Sequence, residues 1–382
     1  MPLRLIAGPA NAGKVELLLG RYLDSLQREP VLIVPNRSDV ERVERQLLER
    51  TPALLGGSIG TFDDLFARIA RDGPGSRPLL SRAQQTLLVR RSLAAVPLNG
   101  LSASSRFGGF ADALQQTLAE LGSGLLEPSD LEGPLSALHA AYRAELDRLQ
   151  LWDRDALRRH AVERLRSDLE SWSGEPVFAY GFEDLTGAEW ALLEALAGRA
   201  DVTVSLPYEP GRPAFASLQR TADDLSGLAG GSIEELPPRY EDVAHPALAH
   251  LERHLFSDRR VRPVPIDGAV RFFEGAGARG ALELVGEELL ALVRSGMPAE
   301  RIGIVHPGGE RWRGPLETAL GTLGIPYSVD GDLRLALTPF GQALVALLRF
   351  AWLGGSRRDL FTFLRSPFSG LERRAVDFVE GR

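Results

Sequence analysis

The apolar positions of the first third of the chain fall into short blocks separated by longer stretches with helical spacing. Leu3–Ala7, Val31–Pro35 and Gly57–Gly60 are strand-length apolar runs. Helical periods follow each of them. One starts at Gly13-Lys14, one spans Ser38–Arg50 with Ser38 as N-cap and Glu41 three residues on, and one spans Phe62–Arg71. This β-α-β-α-β-α alternation predicts an α/β domain with a parallel sheet and right-handed crossovers. Residues 79–170 change character: Leu, Ala, Arg and Glu recur at helical spacing, which predicts four or five helices inserted into that domain. Strand pattern resumes at Pro176–Tyr180 and Asp201–Leu206, joined by a helix over Gly187–Ala197.

Residues 207–270 are rich in loop formers, with Pro237-Pro238 and Arg262-Pro263-Val264-Pro265, and one helix is expected near Leu248–Phe256. A second α/β unit is expected beyond them. Its strands would be Val270–Phe273, Ile302–Val305 and Tyr327–Val329, and its helices Ala281–Arg294 and Arg313–Leu323. Helices from Pro339 onward reach Arg382 with no closing strand, so this unit is expected to be incomplete and the chain an N-terminal portion of something longer. The expected partition is 1–78 with 172–212 for the first α/β domain, and 79–171 for a helical insertion. Residues 213–268 would form a linker, and 269–382 the start of the second domain.

Composition narrows the chemistry. A length of 382 residues with 44% hydrophobic positions suits two or three globular domains. No apolar run approaches the roughly 20 residues needed to span a bilayer, and Met1-Pro2-Leu3-Arg4 leads directly into a strand without a signal-peptide pattern, so a cytoplasmic protein without membrane partners is expected. The absence of cysteine excludes disulfides, thiolate zinc sites and iron–sulfur ligation within these residues. The net charge of −7 does not suggest a general nucleic-acid binder.

Lys14 is the single lysine, and it closes Gly8-Pro9-Ala10-Asn11-Ala12-Gly13-Lys14 directly after the first strand run. Strand, G-x-x-x-x-G-K and helix form the phosphate-binding P-loop, so Gly8, Asn11, Ala12, Gly13, Lys14 and Val15 are the expected nucleotide contacts. The motif places Ser or Thr after the lysine to hold Mg²⁺, and this chain has Val15 there. Backbone amides and one lysine suffice to bind an anion at a helix N-terminus, so weak ATP binding with little Mg²⁺ dependence is expected. A lysine-dependent PD-(D/E)xK nuclease site has no lysine to use outside the P-loop.

Other candidates read as structural. Glu183 and Asp184 are possible acid–base partners, but they sit at a strand-to-helix junction where Asp184 or Thr186 can cap the next helix. Asp63 and Asp64 suit a first helical turn. His250 and His254 are spaced i, i+4, yet His250-Leu251-Glu252-Arg253-His254 matches neither zincin order, and with His245 these are expected to be exposed rather than metal ligands. No metal site is expected.

The series resembles a superfamily I helicase of the UvrD type, most closely the AddB-type subunit of bacterial helicase–nuclease complexes. The pieces that carry the resemblance follow the P-loop in order. They are Val31–Asn36, Ile59-Gly60-Thr61-Phe62, Tyr180–Thr186 with Leu192–Ala197, Leu206–Arg212, His250–Phe256, Ile302–Val305 with Gly324-Ile325-Pro326-Tyr327, and Arg365-Ser366-Pro367-Phe368. The resemblance implies a P-loop NTPase (RecA-like) parallel sheet with a helical insertion, followed by a second, incomplete RecA-like domain. It also implies ATP as cofactor, single-stranded DNA as ligand and an AddA-like helicase–nuclease subunit as partner. It sets Tyr180 and Gly181 where the metal-binding Asp and catalytic Glu belong, and Pro307 where an arginine belongs. With Val15, these positions make a catalytically degenerate motor core the expectation. The alternatives are an active DNA-stimulated helicase and a P-loop kinase or GTPase-like enzyme. Asn36, Arg37, Thr61 and Phe62 fall at strand ends where such motors hold their DNA strand, although Phe62 also reads as a core residue; Arg68, Arg71 and Arg82 are possible phosphate contacts.

Overall fold

The computed structural model describes residues 3–71, 75–107, 109–306, 310–328 and 335–381. The chain divides after Arg271 into two compact units.

The first unit is built on a six-stranded, all-parallel sheet. Its strands are β1 (Arg4–Gly8), β2 (Val31–Ile33), β3 (Ser58–Gly60), β4 (Val177–Ala179), β5 (Val202–Pro207) and β6 (Ile233–Glu235), in the order β3-β2-β4-β5-β1-β6. Register is set by pairs such as Ile6↔Ser205, Leu32↔Phe178 and Phe178↔Thr203. Successive strand residues point to opposite faces, and both faces are apolar because helices cover both. Ile6, Leu32, Val34, Phe178 and Tyr180 point to one face. There they meet helices α1 (Lys14–Asp24) and α2 (Arg37–Leu48). Leu5, Val31, Ile33, Val177, Ala179, Val202 and Val204 point to the other. That face carries α3 (Phe62–Arg71), then after a helix-rich excursion α7 (Arg154–Ser167), α8 (Gly187–Ala197) and α9 (Gln219–Leu228). The chain steps from β1 to β2 to β3 under one face and returns under the other, as right-handed crossovers require. Each fully buried Leu or Ile in these layers contributes about 1.5–3 kcal/mol of transfer free energy.

The excursion comprises α4 (Arg82–Ala95), α5 (Phe110–Ser123) and α6 (Gly133–Leu149). These bury a small core of their own around Val89, Leu118, Leu138 and Tyr142. The two connections meet at a neck, where Leu80 N–H donates to the Trp152 carbonyl (2.7 Å) and Trp152 N–H to the Pro78 carbonyl (2.9 Å). Helix α7 lies past this neck and packs its Leu157, Ala161, Val162 and Leu165 into the sheet layer, so the helix-rich stretch serves two cores.

Several boundaries differ from the sequence reading for local reasons. Helix α2 is capped by Asn36, whose side chain accepts from Asp39 N–H, rather than by Ser38. The segment after β5 contributes α9 and β6 as well as α10 (Tyr240–Val243) and α11 (Pro246–His254). Strand β6 escaped notice because its residues, Ile-Glu-Glu, are all exposed and carry no apolar pattern.

The second unit contains α12 (Gly277–Arg294), α13 (Glu310–Thr322), α14 (Pro339–Trp352), α15 (Arg357–Leu364) and α16 (Arg373–Glu380). Gly286 lets α12 approach the turn after α13, since a Cβ there would lie 2.2 Å from Leu323 Cδ1. The expected strands Val270–Phe273, Ile302–Val305 and Tyr327–Val329 are corrected. Their described residues form no ladder, and Val329 lies outside the described residues. An apolar run supplies strand propensity but not the neighbouring backbone that makes a strand. Phe272 and Val305, 88% and 98% exposed, have no such neighbour among the described residues. No described helix is long and apolar enough to cross a membrane.

Candidate functional site: a P-loop beside an apolar strand end

Strand β1 delivers Gly8 to the carboxyl edge of the sheet, where ligands of parallel α/β folds bind. The chain then curls back on itself through two left-handed residues, Asn11 (φ 58°) and Gly13 (φ 89°). Such curvature turns successive amides into an anion-binding concavity. Gly8 must lack a side chain, because a Cβ there would come within 2.9 Å of the Leu236 carbonyl beyond β6. Lys14 opens α1, but its ammonium folds back to donate to the Gly8 carbonyl (2.7 Å) and the Pro9 carbonyl. Only 8% of the residue is exposed, and burial lowers its pKa to about 8. The loop borders a cleft of about 420 Å³ lined by Asn11 to Glu16, Gln46, Glu49, Arg50 and Val243. The expected loop contacts Asn11, Ala12, Gly13, Lys14 and Val15 are thus brought together on one cleft, with Gly8 at its root.

Val15 packs against the apolar cluster that contains Ile6, Leu18, Leu32, Val34, Phe178 and Tyr180. Tyr180 leaves β4 at 6% exposure. Its hydroxyl accepts a 3.0 Å hydrogen bond from Arg42 of α2, which is also paired with Asp39 at 2.7 Å. Gly181 follows at φ 88°, a left-handed conformation, and a Cβ there would sit 3.0 Å from Pro35 Cγ. A carboxylate-bearing side chain is therefore strained at this position. Pro307 lies outside the described residues.

The junction after β4 is structural in its details. Thr186 caps α8 in a reciprocal box with Glu189. Asp184 accepts from the Leu185 N–H, and Glu183 is exposed. Asp64 accepts from both the backbone and the hydroxyl of Thr61 (2.9 Å each), and these bonds, the backbone one foremost, hold its carboxyl below the usual range. Asp63 pairs with Arg158 of α7 at 2.7 Å.

The four strand-end residues proposed for DNA are placed unequally. Asn36 spends its side chain on Asp39, and Thr61 on Asp64. Phe62 is 3% exposed and packs on Phe182 at 4.7 Å between ring centroids, which makes it a core residue and not a stacking platform. Arg37 has its side chain 77% exposed and 3.7 Å from Asp64. Arg68 is held by Glu175 (2.8 Å) and lies over Trp172. His245 caps α11 through Nδ1, and the His250 and His254 rings touch each other at 4.7 Å. Among the described residues no three His, Asp or Glu side chains converge as metal ligands.

The whole chain aligns with B subunits of ATP-dependent helicase/deoxyribonucleases. Identity is 27% over 427 aligned positions with the subunit of Desulforudis audaxviator, covering 100% of this chain and 36% of that protein. It is 26% with those of Symbiobacterium thermophilum, over 99% of the chain, and Pelotomaculum thermopropionicum, over 100%, again with 36% of each relative covered. The chain is AddB-like. No family model matches it. It spans about a third of the length of these curated relatives.

In this AddB-like chain the residues that sequence reasoning missed are those brought in from afar. Arg42 reaches Tyr180 across 138 positions. Gln46 from the last turn of α2, Arg50 from the turn after it, and Val243 from α10 complete the cleft wall. No local pattern marks them, because each sits on an ordinary helical period.

Proposed function

We propose that this chain is the helicase-like part of a subunit in a DNA repair helicase–nuclease assembly, and that its P-loop binds nucleotide phosphate without turning it over. The single observation that carries this reading is the setting of Val15 and Tyr180. An ATPase of this class holds Mg²⁺ with a hydroxyl after the P-loop lysine and a carboxylate at a nearby strand end. Here those two positions belong to one apolar cluster, closed by the Arg42 contact. The phosphate cradle itself retains both glycines and Lys14. ATP would bind weakly and with little dependence on Mg²⁺, because the loop itself offers only backbone amides and one ammonium.

The names of the relatives support an AddA-like partner and DNA as the ligand of the assembly. Single-stranded DNA would cross the carboxyl ends of β2 and β3, with Arg37 as its phosphate contact rather than Phe62 as a stacking surface. The second reading is an active DNA-stimulated ATPase. Two measurements separate the readings: labelled ATP titrated with and without Mg²⁺, and ATP hydrolysis in the presence of single-stranded DNA, each for wild type and Lys14→Ala. Lysine-dependent binding without turnover supports the first reading; lysine-dependent turnover establishes the second. Absence of any ATP binding removes the nucleotide part of both.

A further inference from the structure

A further cation stands beside the P-loop, carried there by the edge strand β6 and the turn beyond it. Because β6 runs parallel to β1, its carboxyl end reaches the same edge of the sheet as Gly8. Leu236 N–H then donates to the Ala7 carbonyl (2.8 Å), and the Leu236 side chain packs against the cluster that holds Ile6 and Leu18. Pro237 and Pro238 stiffen the next two positions, since their rings fix φ. Tyr240 holds the far side: it is 5% exposed, and its hydroxyl accepts from Arg212 at 2.9 Å. Arg239 lies between these two fixed points, so its backbone is held in place next to the loop.

The Arg239 side chain is directed at that loop. A Cβ built on Gly13 would lie 4.0 Å from Arg239 Nη1. Among the described residues the guanidinium makes no hydrogen bond or ion pair. A guanidinium without a partner, set beside a concavity of backbone amides, suits an oxyanion. The other charges of the cleft leave a need for it. Lys14 has three donors and commits two of them to the Gly8 and Pro9 carbonyls. Arg50 and Glu16 approach at 3.9 Å, and Glu49 is the other acid of the wall. Lys14 and Arg50 therefore only balance Glu16 and Glu49, and Arg239 tips the loop to positive. Glu241 and Asp242, in the first turn of α10, do not line the cleft and form no bond with Arg239.

We infer that Arg239 is a phosphate-binding residue whose guanidinium pairs with the polyphosphate of a nucleotide seated against Gly13 and Lys14. It would supply there part of the charge neutralisation that Mg²⁺ supplies in an active ATPase. The inference rests on the nucleotide reading of the P-loop and adds to it a contact from the opposite side of β1.

Binding of labelled ATP in EDTA tests it, with inorganic tripolyphosphate as competitor. The proteins are wild type, Arg239→Met, Arg239→Lys, Lys14→Ala and Arg4→Met. Arg4→Met removes the same charge at the amino end of β1, away from the loop. Arg239→Met is expected to weaken ATP and tripolyphosphate alike by about tenfold or more. Arg239→Lys should recover part of the loss, since it keeps the charge without the fork, and Arg4→Met should match wild type. Lysine-dependent binding that Arg239→Met leaves unchanged overturns the inference and keeps the nucleotide reading. An equal loss in Arg4→Met reduces the effect to net charge and overturns it too. A loss for ATP but not for tripolyphosphate places Arg239 on the base or ribose, again against the inference. Absence of ATP binding by wild type removes the nucleotide reading and this inference with it.

Discussion

The guanidinium of Arg42 donates a 3.0 Å hydrogen bond to the hydroxyl of Tyr180, tying α2 to the end of β4 at the edge where a metal-dependent ATPase keeps an acid. The same arginine is paired with Asp39, so the contact is charge-assisted and held from two sides.

Tyr180→Phe removes that bond while keeping the ring in its cluster, and is expected to cost about 1–2 kcal/mol in urea unfolding. Tyr180→Asp is expected to cost more, about 2–4 kcal/mol, because it opens a cavity and sets a carboxylate among Ile6, Leu32 and Phe178. Equal stability of wild type and Tyr180→Asp would show that the strand end is wet and open to metal.

Lys14 links stability to pH. Its folded pKa, about 8, lies below the value near 10.4 of an unfolded lysine. The unfolded chain therefore binds more protons between those values, and stability should rise with pH from about 8 to 10.4. The rise is expected to be about 1–3 kcal/mol, toward the lower end because the two carbonyl bonds favour the charged form. Lys14→Met should flatten this window. With no other lysine and no cysteine in the sequence, only tyrosines and the terminal amine share it.

Asp155 behaves in the opposite sense. Burial, then the neighbouring Asp153, raises its pKa to about 6 against roughly 3.9 unfolded. The folded chain then binds more protons, so its contribution is complete below about pH 4 and lost as pH rises through 6. Asp155→Asn is expected to raise stability at pH 7.5 by about 1–3 kcal/mol and to lose that advantage at pH 4. Thermal melts at the two pH values check it, and a uniform destabilisation would contradict it.

Gly122 of α5 faces the same carboxylate, and a Cβ there would lie 2.5 Å from Asp155 Cβ. Gly122→Ala gains helix propensity, about 1 kcal/mol, but must separate α5 from α7. A net loss of about 1–3 kcal/mol is expected in chemical unfolding, and Asp155→Ala in the same chain should recover part of it.

The strands and helices of the first unit were legible because their signals are local. Leu5 and Ile6, or Val31 and Leu32, alternate between two apolar layers, Phe62–Arg71 carries acids in its first turn and arginines in its last, and Gly187–Ala197 begins at a cap visible in the chain, Thr186. The P-loop was legible for the same reason, since glycine spacing encodes backbone curvature. Strand β6 was not, because an edge strand of Ile-Glu-Glu exists only through its pairing with β1. Phe62 was ambiguous, because an aromatic at a strand end has the same sequence whether it faces solvent or Phe182.

Sequence alone determined the parallel α/β plan, the glycine-curved loop that ends in Lys14 and the apolar Val15 that follows it, all of which depend on residues within a few positions of one another. Tertiary structure alone decided that Tyr180 is occupied by Arg42, that α7 belongs to the sheet, and that Arg239 stands beside Gly13. Those outcomes join residues far apart in the chain or on different helices, and only folding sets which of them become neighbours.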